Sequence, residues 1–339
     1  MKHERLRLGL IGCGRIGRIH AENVARRTPG AVLTVVCDAD RRAAEAVAAP
    51  LGIPAVTERP EEVFSDPAVE AVIIASPTDT HADYIVEAAR AAKHIFCEKP
   101  IDYDLPRTDA ALHAVRQAGV KLQVGFNRRF DANFARLRRT VTSGEIGTLR
   151  EIHIVSRDPA PPPVSYLRRS GGLFLDMTIH DFDMARFLVG EEVAEVYAQA
   201  GVLVDAAIGE AGDIDTAVTV LRFENGVLGT IANSRQAAYG YDQRVELLGS
   251  RGSAAAGNRF PNEVVLSDAD SVRRDLPLHF FLERYQDSFA AEIACFVQAV
   301  LGDRPPEVTG ADGRAAAVLA LAAAKSCREH RPVRVAEIG

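Results

Sequence analysis

From Leu6 onward the chain alternates compact apolar runs with longer stretches whose apolar residues recur at helical spacing. The apolar runs are 6–11, 32–37, 54–57, 71–76, 94–97 and 121–126, and the helical stretches among them are 16–27, 60–64, 81–92 and 106–117. Runs such as Ala71-Val-Ile-Ile-Ala-Ser76 are apolar at successive positions, the pattern of a strand buried on both faces. Strand and helix in regular alternation predict an α/β unit with a doubly wound parallel sheet over residues 1–125.

After residue 126 the period changes. Residues 131–143 read as a helix and 149–156 as a strand, and 193–199, 215–223, 227–234 and 243–249 are strand-like, alternating stretches. Asn225-Gly226 is a strong hairpin signal between two of them. Helices over 281–301 and 313–327 and a short strand over 332–336 finish the chain. These features predict an α+β unit over residues 126–339 with a large, open, mostly antiparallel sheet, half exposed. Val218, Val220, Leu221, Val227, Leu228 and Ile231 put apolar residues on both alternations, more than one buried face needs, which predicts a homotetramer built on the exposed face.

One stretch interrupts the simple pattern. Gly171-Gly-Leu-Phe-Leu-Asp-Met-Thr-Ile-His-Asp-Phe-Asp183 opens on a glycine pair and continues as an apolar helix to about Val189. On a helix, positions i, i+4 and i+7 share a face, so Asp176, His180 and Asp183 form one polar stripe on an otherwise apolar segment. Buried carboxylates and imidazoles are costly unless paired, so such a stripe marks a site. An exposed polar edge or a satisfied core histidine is the bland alternative.

Composition narrows the classes. Two domains are expected for 339 residues, and 47% hydrophobic with 25% charged residues is ordinary for a globular enzyme. A net charge of −6 offers no footprint for nucleic acid or an anionic membrane, and no apolar run reaches transmembrane length. Cys13, Cys37, Cys97, Cys295 and Cys327 are scattered without metal-ligand spacing, which predicts reduced thiols and no metal. With a charged start, Met1-Lys-His-Glu-Arg, in place of a signal sequence, a cytoplasmic protein is expected.

The strongest chemical signal is Gly12-Cys-Gly-Arg-Ile-Gly17 between the first strand and helix, with Asp38 ending the second strand. Gly12 makes the tight turn, Gly14 lets the backbone approach a pyrophosphate, and Gly17 permits close helix–strand contact, with Arg15 and Ile16 opening the helix whose N–H groups face the phosphates. Asp38 is placed to accept from the ribose hydroxyls and to repel a 2′-phosphate, which favours NAD over NADP, with Arg41 and Arg42 close by. Ligands of such sheets bind beyond the carboxyl ends of the strands, where Ser76, Pro77, Thr78, His81, Glu98 and Lys99 fall.

Gly12-x-Gly14-x-x-Gly17, Glu98-Lys99-Pro100 and Asp176-x-x-x-His180 together resemble the glucose–fructose oxidoreductase, inositol dehydrogenase and rhizopine-catabolism family over the whole chain. The resemblance implies an N-terminal Rossmann domain, a C-terminal domain whose open sheet carries helices on one face, and Lys99, Asp176 and His180 as the catalytic set. It also implies a cis Lys99–Pro100 bond. Within the family the inositol dehydrogenases are the nearest likeness, carried by Gly125-Phe-Asn-Arg-Arg-Phe-Asp131, Asp183 and Tyr239-Gly-Tyr241-Asp242. That likeness implies NAD-dependent oxidation of a secondary hydroxyl of a cyclic polyol, myo-inositol to its 2-ketone first. Asn127, Arg129, Asp158, Asp183, Tyr239 and Tyr241 then join Asp176 and His180 as substrate contacts. Some inositol dehydrogenases carry His and Asn where this chain has Ser156 and Asp158, so another inositol isomer or a pyranose sugar stays open. A sensor that binds NAD without turnover is a third reading, against which the intact Lys99, Asp176 and His180 argue.

Overall fold

The computed structural model describes residues 5–339, and it falls into two compact units. Residues 1–4, part of the charged start, lie outside the described residues.

The first unit comprises the residues up to Phe130 together with Asp287–Ala317. Its elements run β1 (Leu6–Ile11), α1 (Arg15–Arg27), β2 (Ala31–Cys37), α2 (Arg41–Leu51), β3 (Ala55–Thr57), α3 (Pro60–Ser65), β4 (Ala71–Ile74), α4 (His81–Arg90), β5 (His94–Cys97), α5 (Leu105–Ala118) and β6 (Leu122–Val124). The six strands form one parallel sheet in the order β3-β2-β1-β4-β5-β6, the doubly wound topology expected, with β4 buried at every residue. Helix α2 has no counterpart among the elements expected from the pattern. Its buried stripe is only Ala44, Val47 and Ala48 with Pro50 inside the helix, which forms because Asp40 caps it, accepting from Arg42 N at 3.0 Å, while Gly52 closes it in the left-handed region.

The second unit comprises Asp131–Gln286 and Val318–Gly339. It contains α6 (Ala132–Thr142), β7 (Leu149–Arg157), α7 (Val164–Leu167), a π-turn (Phe174–Thr178), α8 (Ile179–Val189), β8 (Val193–Gly201), α9 (Ala206–Glu210), β9 (Thr216–Phe223), β10 (Leu228–Ser234), β11 (Asp242–Gly249) and β12 (Ser253–Ala256). A small hairpin, β13 (Val265–Ser267) and β14 (Val272–Arg274), precedes α10 (Phe281–Arg284), α11 (Gln286–Leu301), α12 (Gly310–Glu329) and β15 (Val333–Arg334). The seven-stranded sheet has the order β12-β11-β7-β10-β9-β8-β15. All neighbours are antiparallel except β7 and β10, which run parallel from Glu151↔Leu228 to Arg157↔Ser234. One face of the sheet is buried through Ile152, Ile154, Leu221, Ile231 and Leu247, while Val218, Val220 and Leu228 on the other are 53%, 41% and 51% exposed.

A further departure from the sequence pattern has a long-range cause. The helix expected over 281–301 is broken at Tyr285, and α11, apart from its first residue, belongs to the first unit, where Ile293, Phe296 and Val297 join the core of Leu8, Leu10, Val36 and Phe96. Just before the break, Arg284 is fully buried in the second unit and forms an ion pair with Asp131, whose carboxylate also caps α6 by accepting from Asn133 N at 3.0 Å.

This pair makes the fold testable. Asp131→Ala strands a buried guanidinium and should cost about 3–5 kcal/mol, read as a lower urea midpoint. Combining it with Arg284→Met should recover most of the loss, because no charge then remains buried. An unchanged midpoint in the single variant would refute the assignment.

Candidate functional site

The first unit gathers its candidate residues at the carboxyl ends of its strands. Gly12 has φ +96°, and a Cβ there would come within 2.5 Å of the Ala75 carbonyl, so the turn needs glycine both for its conformation and for space. A Cβ on Gly17 would lie 1.9 Å from the Gly12 oxygen, which is the close helix–strand approach expected. At Gly14 a Cβ would meet nothing within 4 Å. The open space lies at the N-terminus of α1, whose first turn carries no acidic residue and no side-chain cap, so Gly14, Arg15 and Ile16 present a cradle suited to a pyrophosphate. Asp38 is fixed beside it, accepting from Cys13 N at 2.7 Å and Asp40 N at 2.9 Å. These features fit a dinucleotide.

Ser76, Pro77 and Thr78 leave β4, and the Ser76 hydroxyl meets that of Thr80 at 2.7 Å. His81 is buried, with one ring nitrogen 2.8 Å from the Pro100 carbonyl and the other 2.8 Å from that of Ser76. Its side chain therefore ties two strand-end loops together and shapes this end of the sheet. Glu98, Lys99 and Pro100 leave β5, and the Lys99–Pro100 bond is cis, as the resemblance implied. Beyond β6, Asn127 and Arg128 are buried, and Arg129 forms a 2.9 Å ion pair with Asp312. Burial alone would raise the Asp312 carboxyl; the Arg129 guanidinium with the Thr309 N–H and hydroxyl outweighs it and holds the group at about 2. Cys13 and Cys37 sit at the same sheet end, but burial pushes both thiols up to about 12, which leaves them inert.

In the second unit, Asp176 and His180 are half-buried and Asp183 is buried. The segment bearing them is less regular than a plain helix. Phe174–Thr178 is a π-turn running directly into α8, a feature that recurs at functional sites. Asp176 lies within the π-turn and His180 in the first turn of α8. The Asp176 oxygens accept from the Tyr166 hydroxyl at 2.8 Å and from Arg235 at 3.3 Å. Arg235 is 1% exposed and also reaches Asp213 at 3.1 Å. Two residues earlier, on β10, Asn233 donates to Asp181 at 2.8 Å and accepts from Thr178 at 3.0 Å.

The parallel pairing of β7 with β10 delivers these groups to one sheet end. Asp158 follows β7 and its N–H meets the Ser234 carbonyl at 2.9 Å, next to Arg235. β11 begins at that end, Asp242 opposite Arg157. Tyr239 and Tyr241 just precede it and differ in setting. Tyr239 is 37% exposed, donating to Asp242 at 2.6 Å and accepting from Arg157 at 2.9 Å, whereas Tyr241 is buried edge-on against Tyr285. Arg235, Asp213, Asp181, Asn233 and Asp312 were not singled out from sequence. Each is one polar residue without a motif, and only the long-range pairing of strands and helices gives it meaning. Among the described residues no helix is long and apolar enough to cross a membrane.

Comparison with known proteins agrees with this geometry. Residues 6–126 match an oxidoreductase family with an NAD-binding Rossmann fold, and residues 134–255 match the GFO/IDH/MocA C-terminal domain. The chain is 48% identical to the myo-inositol 2-dehydrogenase of Thermotoga maritima, over 98% of this chain and 99% of that one. It is also 48% identical to the inositol 2-dehydrogenase of Rhizobium meliloti, again over 98% and 99%. The crystal structure of scyllo-inositol dehydrogenase from Lactobacillus casei with NAD(H) and scyllo-inositol is similar with a TM-score of 0.92 at 30% identity, covering 98% of this chain and 99% of that one.

The Arg129–Asp312 pair has a pH signature. A carboxyl held down at about 2 in the fold contributes stability that is present above the ordinary carboxylate range and is lost as pH falls through that range toward its folded value. Asp312→Asn should therefore cost about 2 kcal/mol at neutral pH and progressively less on acidification. Urea midpoints collected from neutral to acid pH should converge for the two proteins; parallel curves would refute this.

Proposed function

The chain belongs to the GFO/IDH/MocA family of NAD-dependent oxidoreductases acting on CH–OH, and from that premise we propose that it oxidises a secondary hydroxyl of an inositol, myo-inositol to 2-keto-myo-inositol first. The observation that carries this substrate is the full-length 48% identity with a myo-inositol 2-dehydrogenase. Bound NAD supplies the hydride acceptor.

The chain's own residues handle the proton and the developing charge. His180 takes the hydroxyl proton as general base, since an imidazole titrates near neutrality. Lys99 donates a hydrogen bond to the same oxygen and stabilises alkoxide character. Asp176 favours the imidazolium that forms. Its carboxylate shares the Arg235 guanidinium with Asp213, so two carboxylates and one cation retain one net negative charge. Asn127, Arg129, Asp158, Asp183, Tyr239 and Tyr241 are proposed to grip the remaining hydroxyls, with Arg129 oriented by Asp312 and Tyr239 by Asp242. The adenosine ribose is assigned to Asp38. The unpaired state of all five cysteines suits the proposed cytoplasmic setting.

A second substrate reading, another inositol isomer, is favoured by Ser156. This residue stands where some inositol dehydrogenases carry His, and its hydroxyl is spent on Gln243 at 3.1 Å. Pocket hydrogen bonds decide which hydroxyl is presented. A panel of inositol isomers and pyranoses, each with NAD and NADP, separates the readings by kcat/KM.

His180→Ala is expected to lower kcat by about 10²–10⁴-fold with NAD affinity nearly unchanged, and Asp176→Asn to cost less or comparably. In the pH profile of kcat/KM at saturating NAD, the near-neutral rising limb of the wild type should vanish in His180→Ala. Its survival would move the base to Lys99. The exposed Val218, Val220 and Leu228 are proposed as the contact of a homotetramer. Light scattering should give a tetrameric mass that falls in Val220→Glu, and a monomeric wild type would refute the assembly.

A further inference from the structure

The first unit holds a triad that the reaction above leaves unused. His20 of α1, Glu98 after β5 and Glu292 of α11 bring one ring nitrogen and two carboxylate oxygens within 4.8 Å of one another. His20 and Glu292 are fully buried. His20 Nε2 and Glu98 Oε1 lie 2.7 Å apart, and the rings of Phe96 and Phe289 stand edge-on to the imidazole at 5.0 Å and 6.0 Å. Neither carboxylate oxygen of Glu292 meets a hydrogen-bond partner among the described residues. β6 contributes only an amide here: Gln123 donates to the Glu292 backbone carbonyl at 2.9 Å and leaves the carboxyl alone. The ionisable groups facing Glu292 are thus His20 and Glu98.

Two carboxylates this close in a dry site resist being charged together, because each opposes the other and neither is hydrated. Glu98 has the better claim to the charge. Its side chain keeps 12% exposure and holds the imidazole, whereas Glu292 has neither solvent nor donor. Burial first, and the charge on Glu98 second, push the Glu292 carboxyl well above the usual carboxylate range.

We propose that Glu292 is carried as a neutral acid and acts as a positioning residue: its proton leaves Glu98 the single anion of the triad, locked on His20, and thereby steadies the adjoining Lys99 for the reaction. This rests on Lys99 being the donor to the reacting oxygen. Ionisation of Glu292 sets a second negative charge against Glu98, loosens its grip on His20 and lets Lys99 shift.

Glu292→Gln has the same shape and is permanently neutral, and Glu292→Met provides a second uncharged variant should the first fail to fold. A buried acid with a raised pKa loses its stabilising contribution as pH rises from the ordinary carboxylate range to its own folded value. Over that interval the wild-type unfolding constant should grow relative to the Gln variant's by about tenfold per pH unit. The variant should keep the wild-type kcat at neutral pH and hold it at alkaline pH, where the wild type reversibly declines. A pH-independent ratio of unfolding constants would overturn the neutral acid. Superimposable kcat profiles, or a folded Gln variant inactive at every pH, would overturn the positioning role. Lys99→Ala separates the two readings: if it leaves kcat intact, the role of Lys99 fails, while the ratio of unfolding constants still decides whether Glu292 is neutral.

Discussion

The second unit depends on one buried guanidinium. Arg235 is removed from water almost completely, and such a group is tolerable only when carboxylates and hydrogen bonds replace its hydration. Asp213 and Asp176 supply them, and each carries a further structural load. Asp213 also accepts from Leu173 N at 2.9 Å, which fixes the entry to the π-turn, and Asp176 also holds the Tyr166 hydroxyl. The position of Asp176 is thereby over-determined, and the irregular turn bearing it is pinned at both ends. Asn233 completes the attachment through Thr178 and Asp181. A strand of the sheet, by two side chains of alternate residues, sets the geometry of a segment distant from it in sequence.

That attachment explains why a mostly antiparallel sheet contains one parallel pair. An antiparallel β7 would end at the opposite edge from β10, carrying Asp158 away from Arg235. Running parallel, the two strands finish together, and β11, antiparallel to β7, starts where they finish. The first unit uses the same economy in its simplest form, since an all-parallel sheet delivers every strand end to one side. Gly12, Asp38, Ser76, Glu98 and Asn127 reach that side from five different strands without any special pairing.

This difference governs what could be read in advance. The glycine turn was legible because it is local: steric limits at Gly12 and Gly17 are imposed by neighbours a few residues away or on the adjoining strand. The four-residue spacing of Asp176 and His180 draws the eye to their segment, but the π-turn that carries Asp176 is not legible in that spacing. The alternating runs after residue 126 disclosed strands but not their order, so the β7–β10 pair, and with it Arg235, could not be found. The break at Tyr285 was hidden for the same reason, as Arg284 finds its partner at Asp131, far away in sequence. Helix α2 is hidden for a different one, because its buried stripe is only Ala44, Val47 and Ala48 and a proline, Pro50, lies inside it.

Charge placement follows the same division between local and distant causes. Arg129 and Arg235 are both arginines beside candidate substrate residues, and a count of motifs treats them alike. Arg235 bridges two carboxylates, Asp176 and Asp213, and serves as scaffold. Arg129 is oriented by Asp312, which Thr309 N and the Thr309 hydroxyl hold in place. It stands on the strand-end turn that also carries the buried Asn127 and Arg128. What orients each arginine is therefore a property of the folded chain, invisible in a motif.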